Sequence, residues 1–126
     1  MTDRDQAKAY AGARLVFGVL FLLFPRLMLR DILGGREGDR RVKAAGRMIG
    51  VRDAVIGVGG LVALQNEDGK APVRPWITYG AISDAVDALA LLLAWRDLPR
   101  RRRALLVLMA MGGAGTGGYL VTRIDD

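Results

Sequence analysis

Six charged side chains lie within stretches of this 126-residue sequence that are otherwise apolar. Three are basic and three are acidic: Arg14, Arg47, Arg52, Asp53, Asp84 and Asp87. If these stretches cross a bilayer, an arginine or aspartate at the middle of a helix costs about 2.5–3.5 kcal/mol on insertion scales. We therefore expect these side chains to face the interior of a helix bundle and to pair with one another.

Such residues could carry three kinds of chemistry. In the first, salt bridges fix which helix packs on which, and no ligand takes part. In the second, Asp53, Asp84 and Asp87 line a water-accessible cavity that binds a small molecule or relays protons. In the third, Asp84 or Asp87 performs acid–base catalysis on a lipid-like substrate. The residue types and their spacing leave all three open.

The depths of the six residues follow from their distance to the helix ends. Arg52, Asp53 and Asp87 are expected at similar depths near mid-span. Arg14 is expected nearer the outer end, about two turns away, and Arg47 close enough to the opposite end to reach the interface. The predicted charge cluster, which is also the possible ligand or proton site, consists of Arg14, Arg52, Asp53, Asp84 and Asp87.

Small residues accompany these charges at helical spacing. At about 100° per residue, Asp53 shares one side of the second helix with several glycines, and Asp84 and Asp87 share a side of the third with Gly80. Small residues let helix backbones approach closely in lipid, and Gly-x-x-x-Gly in the fourth helix favours packing or dimerisation. The predicted packing positions are Gly46, Gly50, Gly57, Gly113 and Gly117.

Four apolar stretches can hold these residues, at about 7–24, 42–64, 73–95 and 104–121. The fourth is 18 residues without a charge, which reaches the length expected of a membrane span. Pro25 ends the first helix or begins the next piece, an amphipathic segment expected to lie in the membrane interface. We predict an all-α, integral membrane four-helix bundle with a short interfacial amphipathic segment after helix one, forming a single transmembrane domain over residues 1–126.

Composition excludes several classes of site. The sequence has no cysteine and no histidine, so disulfides, ordinary zinc sites and His-ligated haem are excluded. No metal or other cofactor is predicted. GGAGTGG in the fourth helix lacks the Lys-Ser/Thr of a phosphate loop. The net charge of +6 predicts no nucleic-acid partner, because the basic residues flank apolar segments and no nucleic-acid module is present.

The distribution of basic residues predicts an orientation. Eleven follow the first and third helices, against five on the other side. The positive-inside rule then places loops 26–41 and 96–103 in the cytoplasm and both termini outside a cell (inner) membrane. The expected partners are the lipid bilayer and anionic lipid headgroups at the Arg-rich loops.

Two segments carry a likeness to a known family. GRMIGVRDAVIGVGG on the second helix and SDAVDALALLLAW on the third resemble the small bacterial four-helix membrane proteins of the DoxX-like type and families of unknown function close to them. Those proteins have Gly-x-Arg-Asp in the second helix and an aspartate in the third. The matching positions here are Gly50, Arg52, Asp53, Asp84 and Asp87. The resemblance implies a four-helix membrane bundle and no established activity.

The leading hypothesis is therefore a non-catalytic or accessory inner-membrane protein whose charged core organises the bundle, with a homodimer or a partner membrane protein as its possible assembly. The alternative is a small-molecule or proton-coupled carrier that uses Asp53, Asp84 and Asp87. An enzyme acting on a lipid-like substrate carries the least weight, because no catalytic motif matches.

Overall fold

The chain is helical throughout the part that the computed structural model describes, residues 2–33, 40–65, 72–98 and 100–124. The helices are α1 (Asp3–Leu23), α2 (Pro25–Leu33), α3 (Arg40–Gln65), α4 (Arg74–Leu93) and α5 (Arg103–Arg123), with a 3₁₀ turn at Trp95–Asp97. Four of them, α1, α3, α4 and α5, are long and apolar enough to cross a membrane. The prediction of an all-α four-helix membrane bundle is confirmed. The polar turns were predicted at 36–41 and 65–72, and residues 34–39 and 66–71 lie outside the described ranges.

Local signals explain how α1 begins and ends. Thr2 accepts a hydrogen bond from the Asp5 backbone N–H at 3.1 Å, and the Asp5 carboxylate accepts one from the Thr2 backbone N–H at 3.2 Å. This capping box satisfies free N–H groups of the first turn, so α1 starts at Asp3 and not near residue 7. At the other end Phe24 leaves the helical conformation, as expected before a proline, and Pro25 opens α2.

The third membrane helix ends earlier than the sequence predicted. We expected it to reach Trp95, but α4 ends at Leu93 and Trp95 lies in the 3₁₀ turn, where the Arg103 guanidinium sits 4.6 Å from its ring centroid. Leu98 is extended, which is the conformation favoured before a proline. The chain therefore has to leave the helix before this point.

Glycines bring α1 and α3 into close antiparallel contact. A Cβ atom built on Gly50 would lie 2.7 Å from the Gly18 carbonyl oxygen, and one built on Gly57 would lie 2.7 Å from the Ala11 carbonyl oxygen. Real side chains do not approach this closely, so only glycine permits this packing. At the far end of the contact, Gly46 faces Pro25 of α2.

The four membrane helices form two tightly packed pairs. α1 packs along α3, and α4 packs along α5, while the two pairs meet mainly through α3 and α4. α1 and α5 touch only over a short stretch. At one end of the bundle a small apolar core joins the pairs, made by Ala7, Ala63, Leu64, Val73, Ile77, Leu120 and Ile124.

Large apolar side chains cover the outer surface of the bundle. Leu93, Met48 and Leu23 are 81%, 73% and 67% exposed. Surfaces of this kind are unusual for a protein in water, but they match the hydrocarbon of a bilayer. On α2, Leu29 is buried and Arg26 is exposed, as expected of an amphipathic segment. The side chains of Arg30, Ile32 and Leu33, which belong to the same prediction, lie outside the described residues.

Candidate functional site

Arg14 lies at the centre of the predicted charge cluster. Its Nη1 donates to Oδ1 of Asp53 at 2.7 Å, and its Nη2 donates both to the Gly80 carbonyl oxygen at 2.9 Å and to the Asp84 carboxylate. These partners belong to α3 and α4, so one guanidinium connects three helices. Arg14 and Asp53 are 8% and 7% exposed. This arginine therefore joins the two helix pairs within the bundle.

A second ion pair joins the same two helix pairs. Arg52 donates from Nη1 to Oδ1 of Asp87 at 3.0 Å and from Nη2 to Oδ2 at 2.7 Å. This two-point match of planar groups is the strong form of an arginine–carboxylate contact. The Arg52 Nε lies 3.6 Å from Oδ1 of Asp53. Asp53 therefore links the second pair to the first, and the five residues form one charge cluster.

The charge cluster is more accessible at one end than at the other. The side chains of Arg52 and Asp87 are 32% and 37% exposed, against 9% for Arg14 and 16% for Asp84. Arg47, the sixth charged residue of the sequence prediction, is exposed on α3 and is not part of the cluster. The cluster holds two arginines and three aspartates, which gives it a formal charge of −1.

Arg14 was predicted as a member of the cluster, about two turns nearer the outer end but with a long side chain. Its guanidinium meets Asp53 and Asp84 directly. α1 and α4 run in the same direction, and Arg14 is about as far along α1 as Asp84 is along α4. The predicted common depth of Arg52 and Asp87 agrees with their contact.

Two residues missing from the predicted site belong to its surroundings. The Tyr10 ring lies 5.2 Å from the Arg14 guanidinium, and a Cβ atom built on Gly80 would lie 2.7 Å from the Arg14 Nε. Tyr10 precedes Arg14 by one helical turn, so the spacing placed both on one face. The Gly80 carbonyl acts as an acceptor, a role that no side-chain pattern reveals.

The predicted packing glycines of α5 face the cluster from the other side. A Cβ atom built on Gly113 would lie 2.8 Å from Cγ of Asp84, and one built on Gly117 would lie 2.9 Å from the Ala81 Cβ and 3.0 Å from the Tyr10 hydroxyl. These two residues therefore pack within the chain. Gly112, Gly115 and Gly118 have open space where a Cβ would be.

A groove of about 870 Å³ runs between α1 and α5, and the charge cluster lines part of it. Arg14, Arg52, Asp53, Asp84 and Asp87 all line it. Its walls are mostly apolar and include Phe17, Leu106 and Met109. Phe17 is 40% exposed and Met109 is 52% exposed, so the groove faces the surroundings of the bundle. The cluster is thus both internally paired and open to a cavity.

The carboxylates of the described residues do not form a metal site. No group of three or more histidine, cysteine, aspartate or glutamate side chains in these ranges is arranged to hold a metal ion. Each aspartate of the cluster instead points a carboxylate oxygen at an arginine.

Comparisons with known proteins give no relatives: no family model matches the chain, and no curated protein or solved structure matches it.

Proposed function

We propose that this chain is a non-catalytic, accessory membrane protein whose charge cluster fixes the arrangement of its four membrane helices. The observation that carries the proposal is that Arg14 bonds to α3 and α4 from α1. A partner membrane protein or a second copy completes the assembly in this proposal. In lipid there is little hydrophobic force between helices, so packing and polar contacts decide their association.

The structural role predicts the effect of removing one carboxylate. Asp53→Asn and Asp84→Asn should each lower the free energy of unfolding by about 1.5 kcal/mol, since each loses a charge-assisted hydrogen bond to Arg14. The measurement is unfolding in mixed micelles, followed by circular dichroism. Asp97→Asn, at an exposed carboxylate outside the cluster, is the control. If both cluster variants fold, assemble and unfold like the wild type, the proposal is wrong.

The groove favours a second candidate, a small-molecule or proton-coupled carrier that uses Asp53, Asp84 and Asp87. A cavity of this volume with apolar walls and a few convergent polar groups is typical of ligand sites. The same groove provides the space beside Asp84 or Asp87 that an enzyme acting on a lipid-like substrate would need. That third candidate ranks below the carrier, because the sequence has no matching catalytic motif.

Access to the groove can be tested by chemical labelling. An apolar carbodiimide reacts with carboxyl groups that it can reach from lipid, so we expect modification at Asp87, the most exposed aspartate of the cluster. Mass spectrometry of the peptide locates the adduct, and Asp87→Asn should abolish it. Absence of any labelling at low pH would count against the carrier.

We also propose the orientation and the lipid partners expected from the sequence. α1 and α4 run in the same direction, which supports loops 26–41 and 96–103 lying at one end of the bundle. Arg100, Arg101 and Arg102 are exposed there, which supports contact with anionic headgroups on the cytoplasmic side of the inner membrane. Membership of the DoxX-like group remains a proposal supported by Gly50, Arg52 and Asp53 on α3.

A further inference from the structure

We propose that the groove between α1 and α5 binds an amphiphilic organic cation from the bilayer, with the positive charge beside Asp87 and Asp84. The ligand class is an amine or quaternary cation that carries an apolar body. This inference names a ligand class for the second candidate function, the carrier. It rests on that proposal only in taking the groove as the binding site, because binding does not require transport.

Charge complementarity is the first argument. The charged side chains lining the groove are two arginines and three aspartates, so the ion pairs leave one negative charge unmatched. A net charge within the hydrocarbon region is costly. One bound monocation brings the sum to zero. An anionic ligand would raise the imbalance to two charges.

The accessibility of the carboxylates is the second argument. The Asp87 side chain is 37% exposed, and although both its oxygens accept from Arg52, an ionised carboxylate has about four acceptor positions. Its open side can therefore meet a further cation. Asp84, 16% exposed, lies one turn away on the same helix. The two carboxylates thus present a negative surface to the groove.

The walls of the groove decide between kinds of cation. A bare metal ion would need converging oxygen ligands, and the described carboxylates do not converge in that way. The apolar walls instead suit a hydrocarbon or aromatic body. Phe17 lines the groove with part of its ring exposed, and an aromatic face attracts an organic cation. An organic cation can therefore place its charge beside the carboxylates and its apolar body against the walls.

The test uses two probes of closely similar shape and opposite charge. Purified protein in lipid nanodiscs is titrated with tetraphenylphosphonium and, separately, with tetraphenylborate, and binding is followed by calorimetry. We expect saturable, one-site binding of the cation and at least about tenfold weaker binding of the anion, a difference of about 1.4 kcal/mol or more. Equal affinity for the two probes would overturn the proposal.

Variants of Asp87 test whether binding depends on the charge of this carboxylate. Asp87→Asn should weaken binding of tetraphenylphosphonium about tenfold or more, and Asp87→Glu, which keeps the charge, should weaken it less. Asp97→Asn, at an exposed site outside the groove, should bind like the wild type. Wild-type affinity in Asp87→Asn would show that binding does not depend on the Asp87 charge, and would overturn the proposal.

A matched pair on α5 keeps the test informative if Asp87→Asn does not fold. Gly112 lines the groove and Gly118 does not, yet both have open space for a side chain. Gly112→Leu should block binding and Gly118→Leu should not. Equal binding by the two variants would place the ligand elsewhere. Binding without accumulation in proteoliposomes would support this inference while contradicting the carrier function.

Discussion

Arg14→Met is expected to lower the free energy of unfolding by about 3–5 kcal/mol, the range found when one partner of a buried ion pair is removed. The variant leaves Asp53 and Asp84 without their shared guanidinium, and the formal charge of the cluster becomes more negative, from −1 to −2. At 8% exposure for Arg14 and 7% for Asp53, no bulk solvent compensates. Membrane proteins of marginal stability lose most of their folded population at such a cost.

The matched control for this prediction is Arg47→Met. Arg47 also lies on a membrane helix but is exposed and outside the cluster, so its removal should change the free energy of unfolding by less than about 0.5 kcal/mol. Unfolding of both variants in mixed micelles provides the comparison. Equal stability of the two variants would mean that burial in the bundle does not distinguish Arg14 from an ordinary surface arginine.

Arg52→Met is expected to lower the free energy of unfolding by about 2–3 kcal/mol, somewhat less than for a fully buried pair, because Arg52 and Asp87 are about one-third exposed. The double variant Arg52→Met, Asp87→Leu should recover most of this loss. Replacing both members of an ion pair by apolar side chains removes the desolvation penalty together with the attraction, and such exchanges are often neutral.

The same unfolding assay distinguishes the charge of Asp87 from the packing of Arg52. Recovery in the double variant assigns the damage in Arg52→Met to an uncompensated carboxylate. A double variant as unstable as Arg52→Met alone would instead assign it to the lost hydrocarbon stem of the arginine, and the ion pair would not hold the helix pairs together.

Helical periodicity correctly predicted which residues of this site share one side of a helix. Spacing along one helix placed Gly50, Asp53 and Gly57 on a common side, and they do share the side of α3 that meets α1. The capping box that starts α1 is also written in the sequence, as Thr2 and Asp5. Both features depend on residues within a few turns of one another, which is the range over which sequence patterns act directly.

The pairing of the charges depends on distances between helices. Sequence gives the approximate depth of each residue, but which arginine meets which aspartate follows from how α1 and α4 lie beside each other and how far a guanidinium extends. The sequence therefore included Arg14 in the cluster without identifying Asp53 and Asp84 as its partners. Sequence could not decide for the same reason whether a cavity opens beside the aspartates, since the groove exists because α1 and α5 separate while α3 and α4 stay in contact.

Pairing and accessibility coexist in this cluster. The sequence alternatives treated a structural salt-bridge network and an open polar cavity as competing accounts, but the five side chains form ion pairs with one another and also line the groove. Arg14 is the buried member that connects helices, and Asp87 is the accessible member that a ligand can meet. Variants of these two residues should therefore separate folding from binding.

The most direct measurement of the central claim is the coupling free energy between Arg14 and Asp84. It comes from a double-mutant cycle of Arg14→Met, Asp84→Leu and the double variant, each unfolded in lipid-containing micelles. If the cluster holds the two helix pairs together, the coupling should favour the folded state by at least about 1 kcal/mol. Strictly additive effects, with no coupling between the two side chains, would contradict this account.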